Sequence, residues 1–175
     1  MAYRTKRSTF AACVLAAAIA MAMFAPQRAW ASEAQPQNAP SISGAEDVEA
    51  VKSVLAAYNV AIQKLDVTGT ETLFTADSEI IESGGVEGTY AYYLEHHIGP
   101  ELEEFKSFSY KDYKIDVRVD GAFAFATESF GFRIEPKNGE APVERLGVAT
   151  SVLVKSGEGW KIFRYHWSSH RPETN

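Results

Sequence analysis

The chain has 175 residues, 46% of them apolar and 12% aromatic. That composition excludes an acidic disordered tail and a disulfide-stapled miniprotein, and it allows one domain of ordinary size or two very small ones. Lys and Arg number 17 against 23 Asp and Glu, and four of the bases (Arg4, Lys6, Arg7, Arg28) fall in the first 31 residues, which hold no acid; the rest of the chain sets 13 bases against 23 acids. Such a charge repels phosphate backbones and anionic lipid surfaces, so neither is an expected partner.

Residues 1–31 read as an export signal. Arg4, Lys6 and Arg7 form a basic end, Phe10 to Phe24 is an unbroken apolar run, Pro26 breaks it, and Ala29-Trp30-Ala31 is a small-x-small cleavage site. The run is short of the roughly 20 residues that span a bilayer, so no stable anchor is expected after cleavage. The expected destination is a bacterial periplasm or the outside. The single cysteine, Cys13, lies inside this segment. The processed chain then has no thiol for a disulfide, a metal or a nucleophile.

Residues 32–44 begin with the polar, proline-bearing run SEAQPQNAP and read as a flexible linker. A domain is expected over residues 45–171, with a short tail at 172–175. Ser43 and Glu46 have the spacing of a capping box. Val48, Val51, Leu55, Tyr58, Ile62 and Leu65 then form one apolar stripe, which predicts a helix of about 20 residues. Thr68 and Glu71 repeat the capping spacing and predict a short second helix through Leu73 and Phe74. Ser78 to Glu82 reads as a short strand ended by Gly84-Gly85. Gly88-Thr89 opens a third helix, which Pro100 should kink near His96-His97, because proline crowds the carbonyl four residues back.

From Ser107 the period changes to two. Tyr113–Asp120, Ala122–Glu135, Val143–Lys155 and Trp160–Ser169 predict four strands in a meander. Asp120-Gly121, Asn138-Gly139 and Gly157-Glu158-Gly159 mark the turns. Helices first and antiparallel strands after indicate an α+β domain. The strands are apolar on both sides: Phe123 and Phe125 oppose Phe130 and Phe132, and Trp160 and Ile162 oppose Phe163, Tyr165 and Trp167. One face should cover the helices. The other should meet a second copy of the chain, unless the sheet curls strongly on itself.

This element order, with Leu73-Phe74 followed by Asp77 and the terminal run Trp160-Lys161-Ile162-Phe163-Arg164-Tyr165-His166-Trp167-Ser168-Ser169, resembles the nuclear transport factor 2-like superfamily, and its bacterial SnoaL-like members most. The resemblance covers about Ala45 to Arg171. It implies a cone-shaped, curved antiparallel sheet with about three N-terminal helices around a deep pocket (a cystatin-like shape), and homodimers that pair through the outer sheet face. Members of the superfamily include ketosteroid isomerase, scytalone dehydratase and polyketide cyclases.

Strict alternation puts Trp160, Ile162, Arg164, His166, Ser168 and His170 on one face of the last strand. If that face lines the cone, Arg164, His166 and Ser168 are polar groups in an apolar hollow, as in many ligand sites. Arg164 would hold a carboxylate and His166 would act as acid or base. The competing reading is a structural His166 and an Arg164 paired with a surface acid. The leading functional reading is an exported binding or accessory protein for a small ligand, mainly apolar or bearing a carboxylate, held by Tyr58, Tyr93, His97, Arg164, His166 and Ser168. The first alternative is a cofactor-independent isomerase, dehydratase or cyclase with His166 catalytic. An isomerase needs a carboxylate base and an acidic donor in one hollow. Asp116, Glu128 and Tyr93 are candidates, and Glu128 stands out because it shares its side with Phe130 and Phe132. The second alternative is a Zn²⁺ or Cu²⁺ site through His97 and His166, with Glu101 one helical turn beyond His97. No cofactor is expected otherwise.

Overall fold

The computed structural model describes residues 42–173. The expected signal segment and most of the expected linker lie outside them. Helix α1 (Ile42–Lys64) buries Val51, Leu55, Tyr58 and Ile62, the predicted stripe. It starts one residue before Ser43, so Ser43 stands inside the helix and not at its cap. Leu65, at φ 56, turns the chain into the left-handed region and ends it.

The predicted second helix is a single 3₁₀ turn (Thr70–Leu73), because the next residues are taken into a strand. Strand β1 (Phe74–Glu82) and the short β2 (Gly85–Gly88) form a hairpin. Helix α2 (Tyr90–Tyr93), a π turn (Leu94–Ile98) and α3 (Gly99–Glu104) then follow without a break. They make one helical segment, so the described residues hold two helices, not three. The Thr89 hydroxyl caps it by accepting from the Tyr92 N–H. The expected kink takes the form of the π turn. The Gly99 N–H donates five residues back to Leu94 O. A Cβ on Gly99 would lie 2.4 Å from that oxygen, so glycine is what the turn admits. Pro100 follows as the second residue of α3 and, having no N–H, donates nothing back into the π turn.

Strands β3 (Phe105–Asp120), β4 (Phe123–Pro136), β5 (Val143–Ser156) and β6 (Gly159–His170) form the meander. The sheet order is β2-β1-β6-β5-β4-β3. Every neighbouring pair is antiparallel except β1 and β6, which run parallel. The sheet is therefore mixed, which corrects the antiparallel expectation. The parallel pair joins the two ends of the domain and leaves no local pattern in the sequence.

Two bulges redirect side chains. In β3 the register slips between Lys111 and Lys114, with Asp112 at φ 51. In β6 Ile162 pairs Leu153 and Arg164 pairs Val152, leaving Phe163 as an extra residue. An extra residue reverses which face all later side chains use. Trp160 and Ile162 before it, and Tyr165 and Trp167 after it, consequently all contribute to one core. Among the described residues no helix is long and apolar enough to cross a membrane.

Candidate functional site: an aromatic cavity with an acidic rim

The helices cover the concave face of the sheet and leave a cavity of about 50 Å³. Ten side chains line it, eight of them aromatic. Helix α1 supplies Tyr58 and Ile62, and the second helical segment supplies Tyr93 and Ile98. Phe108 and Tyr110 come from β3, Phe130 and Phe132 from β4, and Tyr165 and Trp167 from β6. Phe130 lies flat across its neighbour because that neighbour is Gly147; a Cβ there would come within 2.5 Å of the ring. Burial raises the phenols of Tyr58, Tyr93, Tyr110 and Tyr165 above their ordinary range, so they stay neutral hydrogen-bonding groups.

Two carboxyl groups flank this hollow. Glu128 is 1% exposed on β4, two residues before Phe130. Its Oε1 accepts from Asn59 Nδ2 at 2.8 Å and from the Tyr113 hydroxyl at 2.7 Å. Its Oε2 is buried with no hydrogen-bond partner. Burial raises the Glu128 carboxyl above its usual range, against the pull of the Tyr113 and Asn59 bonds. Because Oε1 already accepts two hydrogen bonds, the proton of the neutral acid belongs on Oε2.

Glu82 lies on the other side. Register places Glu128, Ala149, Trp167 and Glu82 in one row across four strands. Glu82 Oε2 accepts from the Tyr93 hydroxyl at 2.7 Å and lies 3.7 Å from His97 Nε2. Glu101 Oε1 is 3.3 Å from the same nitrogen, and Glu87 Oε2 is 3.0 Å from Nδ1. Three carboxyl groups from β1, β2 and α3 thus surround one imidazole, which the π turn presents. Burial works against a charged His97, but the Glu87 bond and the fields of Glu82 and Glu101 outweigh it and raise the imidazole.

The structure brings together some of the sequence candidates and separates others. Tyr58 and Tyr93 line the cavity, and His97 stands at its rim against the Tyr93 ring. Arg164, His166 and Ser168 are exposed on the outer sheet face. The Phe163 bulge is the reason: without it, alternation would have turned them inward. Arg164 pairs with Glu79 at 2.7 Å. His166 therefore has no place on the cavity wall as acid or base. Nor does it meet His97, since the two lie on opposite sides of the sheet. Among the described residues no group of three or more His, Cys, Asp or Glu side chains is arranged to hold a metal ion. Sequence reasoning missed Glu82 and Glu87. Only the parallel pairing of Glu82 with Trp167 reveals the first of them as a cavity neighbour.

A sequence profile of the SnoaL-like domain matches residues 51–172. The chain belongs to the SnoaL-like domain family. Solved structures of the nuclear transport factor 2-like superfamily share the fold of this SnoaL-like domain. One, a superfamily protein from Salmonella enterica, is 21% identical with a TM-score of 0.66, covering 75% of this chain and 95% of that one. A candidate ketosteroid isomerase from Shewanella frigidimarina is 26% identical with a TM-score of 0.59, covering 68% and 94%. A candidate dehydratase from Streptomyces avermitilis is 20% identical with a TM-score of 0.62, covering 73% and 98%. A search of curated proteins finds no match.

Proposed function

We propose that this SnoaL-like protein is an exported binding protein for a small ligand held in the aromatic cavity. The observation that carries the reading is that cavity: concave, lined by eight rings and with few polar groups beside it, the usual make-up of a ligand site. Its volume is far below the roughly 300 Å³ at which drug-sized pockets begin, so the ligand has only a few heavy atoms. Neutral tert-butanol is a fitting probe. In an NMR titration it should shift the resonances of the cavity side chains saturably, and Ile62→Phe, which fills the hollow from α1, should abolish the shifts. Equal shifts in both proteins, or none in either, would remove the reading.

A second reading keeps proton-transfer chemistry of the isomerase or dehydratase kind. It is favoured by Glu128, a buried carboxyl raised by desolvation beside the cavity. In this version Glu128 takes the role that the sequence had offered to His166.

The outer sheet face supports a homodimer. Phe123 and Phe125 are exposed at one end of that face and Leu146 and Val148 at the other, with the Thr127–Thr150 row between them, and large exposed apolar side chains of this kind mark interaction surfaces. Asp116, Thr127, Thr150 and His166 share one row across β3 to β6. A two-fold axis along the strands between β4 and β5 would set Asp116 over His166 of the partner subunit. Phe125→Asp should convert a dimer to a monomer in light scattering without lowering the melting temperature of the monomer. Parent and variant running at one mass would count against this interface.

A further inference from the structure

We propose that the ligand of the aromatic cavity is a small organic cation, of the methylated-ammonium class. This inference rests on the reading that the cavity binds a small ligand, and it names the ligand's charge. The sequence had pointed to a carboxylate, because Arg164 was expected on the cavity wall. The structure reverses the sign: Arg164 faces outward, paired with Glu79, and no Lys or Arg lines the cavity.

What lines the hollow is π-electron density, and acid stands behind it. Tyr93 and Trp167 line it, and Glu82 stands beside both, bonded to the Tyr93 hydroxyl at 2.7 Å and paired with Trp167 across the β1–β6 register. Glu82 belongs to a group in which three carboxyls share one imidazole, so negative charge is left over there even when His97 is protonated. On the other side Glu128, 1% exposed, holds an oxygen without a partner. An arriving cation would meet favourable charge on the Glu82 side, and on the other side it would meet a neutral Glu128 that sets no positive charge against it. Aromatic rings attract a cation through the negative face of the ring, most strongly where water is excluded, and a tetraalkylammonium head needs no hydrogen-bond acceptor. Neutral apolar ligands would use the rings but not the carboxylates. An anion would meet repulsion from the Glu82 side.

Size narrows the class. A cavity of about 50 Å³ admits roughly four water-sized groups. Tetramethylammonium and tert-butanol have the same tetrahedral form and nearly the same bulk, and they differ in charge.

The test is calorimetric titration of the full chain with tetramethylammonium chloride and with tert-butanol, at matched ionic strength. The cation should bind at least about tenfold more tightly. Glu82→Gln keeps an acceptor for the Tyr93 hydroxyl and removes the charge; it should weaken the cation about tenfold and leave tert-butanol unchanged. Binding of tert-butanol with equal or weaker binding of the cation would overturn the proposal while the binding reading stands. Failure of both probes would overturn both. An unaltered cation affinity in Glu82→Gln would also overturn it, because the charge beside Tyr93 would then play no part. The comparison of the two probes on the unmodified chain decides the matter even if that variant does not fold.

Discussion

Tyr58→Ala should be the most damaging single truncation in the domain. Tyr58 is buried on α1 and makes edge contacts with the rings of Phe74, Tyr90 and Tyr165, at centroid distances of 5.3, 5.8 and 5.5 Å. Those rings come from β1, the second helical segment and β6, so one side chain joins every layer of the structure. Removing a buried aromatic ring costs about 3–5 kcal/mol, part lost transfer energy and part unfilled space. In a domain of this size that lowers the melting temperature by roughly 10–20 °C. Tyr58→Phe keeps the ring and should cost less than about 1.5 kcal/mol. Thermal unfolding of the two variants checks the claim. If Tyr58→Ala melts within a few degrees of the parent, the ring cluster is not what holds α1 to the sheet.

The second large effect is a pH dependence centred on Glu128. Its carboxyl is raised in the folded state by burial. A raised carboxyl contributes its stability in the neutral form, fully present below the unfolded-state value and lost as pH climbs through the folded-state value. Each unit of elevation is worth about 1.4 kcal/mol once the group is ionised. Glu128→Gln is neutral at every pH and still offers an oxygen to Asn59 and Tyr113. Parent and variant should therefore be equally stable near pH 4, and the variant should gain progressively as pH rises toward about 8. Glu128→Ala should instead lose about 1–3 kcal/mol throughout for the stranded Asn59 donor alone, with the emptied space adding to it. Urea midpoints across that range give the answer. A parent–variant gap that stays flat would show that Glu128 does not change protonation more easily in the unfolded chain.

Much of the architecture is legible in the sequence, because it is written in local signals. The stripe from Val51 to Ile62 predicts α1, Thr89 predicts the start of the second helical segment, and the turn residues locate β3 to β6 within a few positions. Pro100 locates the irregular turn, though not its kind. What was hidden depends on distant partners. Thr68 and Glu71 have helix-opening spacing, but Phe74 onward is claimed by pairing with Ile162 and its successors, so only one 3₁₀ turn remains. The site was half legible for one physical reason. Alternation along β6 is a correct rule applied across an unseen bulge, and a single extra residue at Phe163 was enough to reverse Arg164, His166 and Ser168. Tyr58 and Tyr93 line the cavity because their helices are regular up to those positions. Glu128 was distinguishable because β4 runs in unbroken register with β5 from it to its same-side neighbours Phe130 and Phe132.

The parallel contact between β1 and β6 also governs when the fold can form. β6 is not an edge strand; it lies between β1 and β5 and completes the wall on which Tyr58 packs. Its residues follow every other strand of the sheet in the chain, and they pair with a strand about 85 positions earlier, as Glu79 does with Arg164. Such pairing carries a high contact order and a late reward for closing the chain. Until residues 159–170 are available, β1 and β2 have no sheet to join, and the apolar stripe of α1 has an incomplete surface to cover. Folding of the domain therefore waits on β6, and removal of residues 159–170 should leave an unfolded polypeptide, not a smaller folded one.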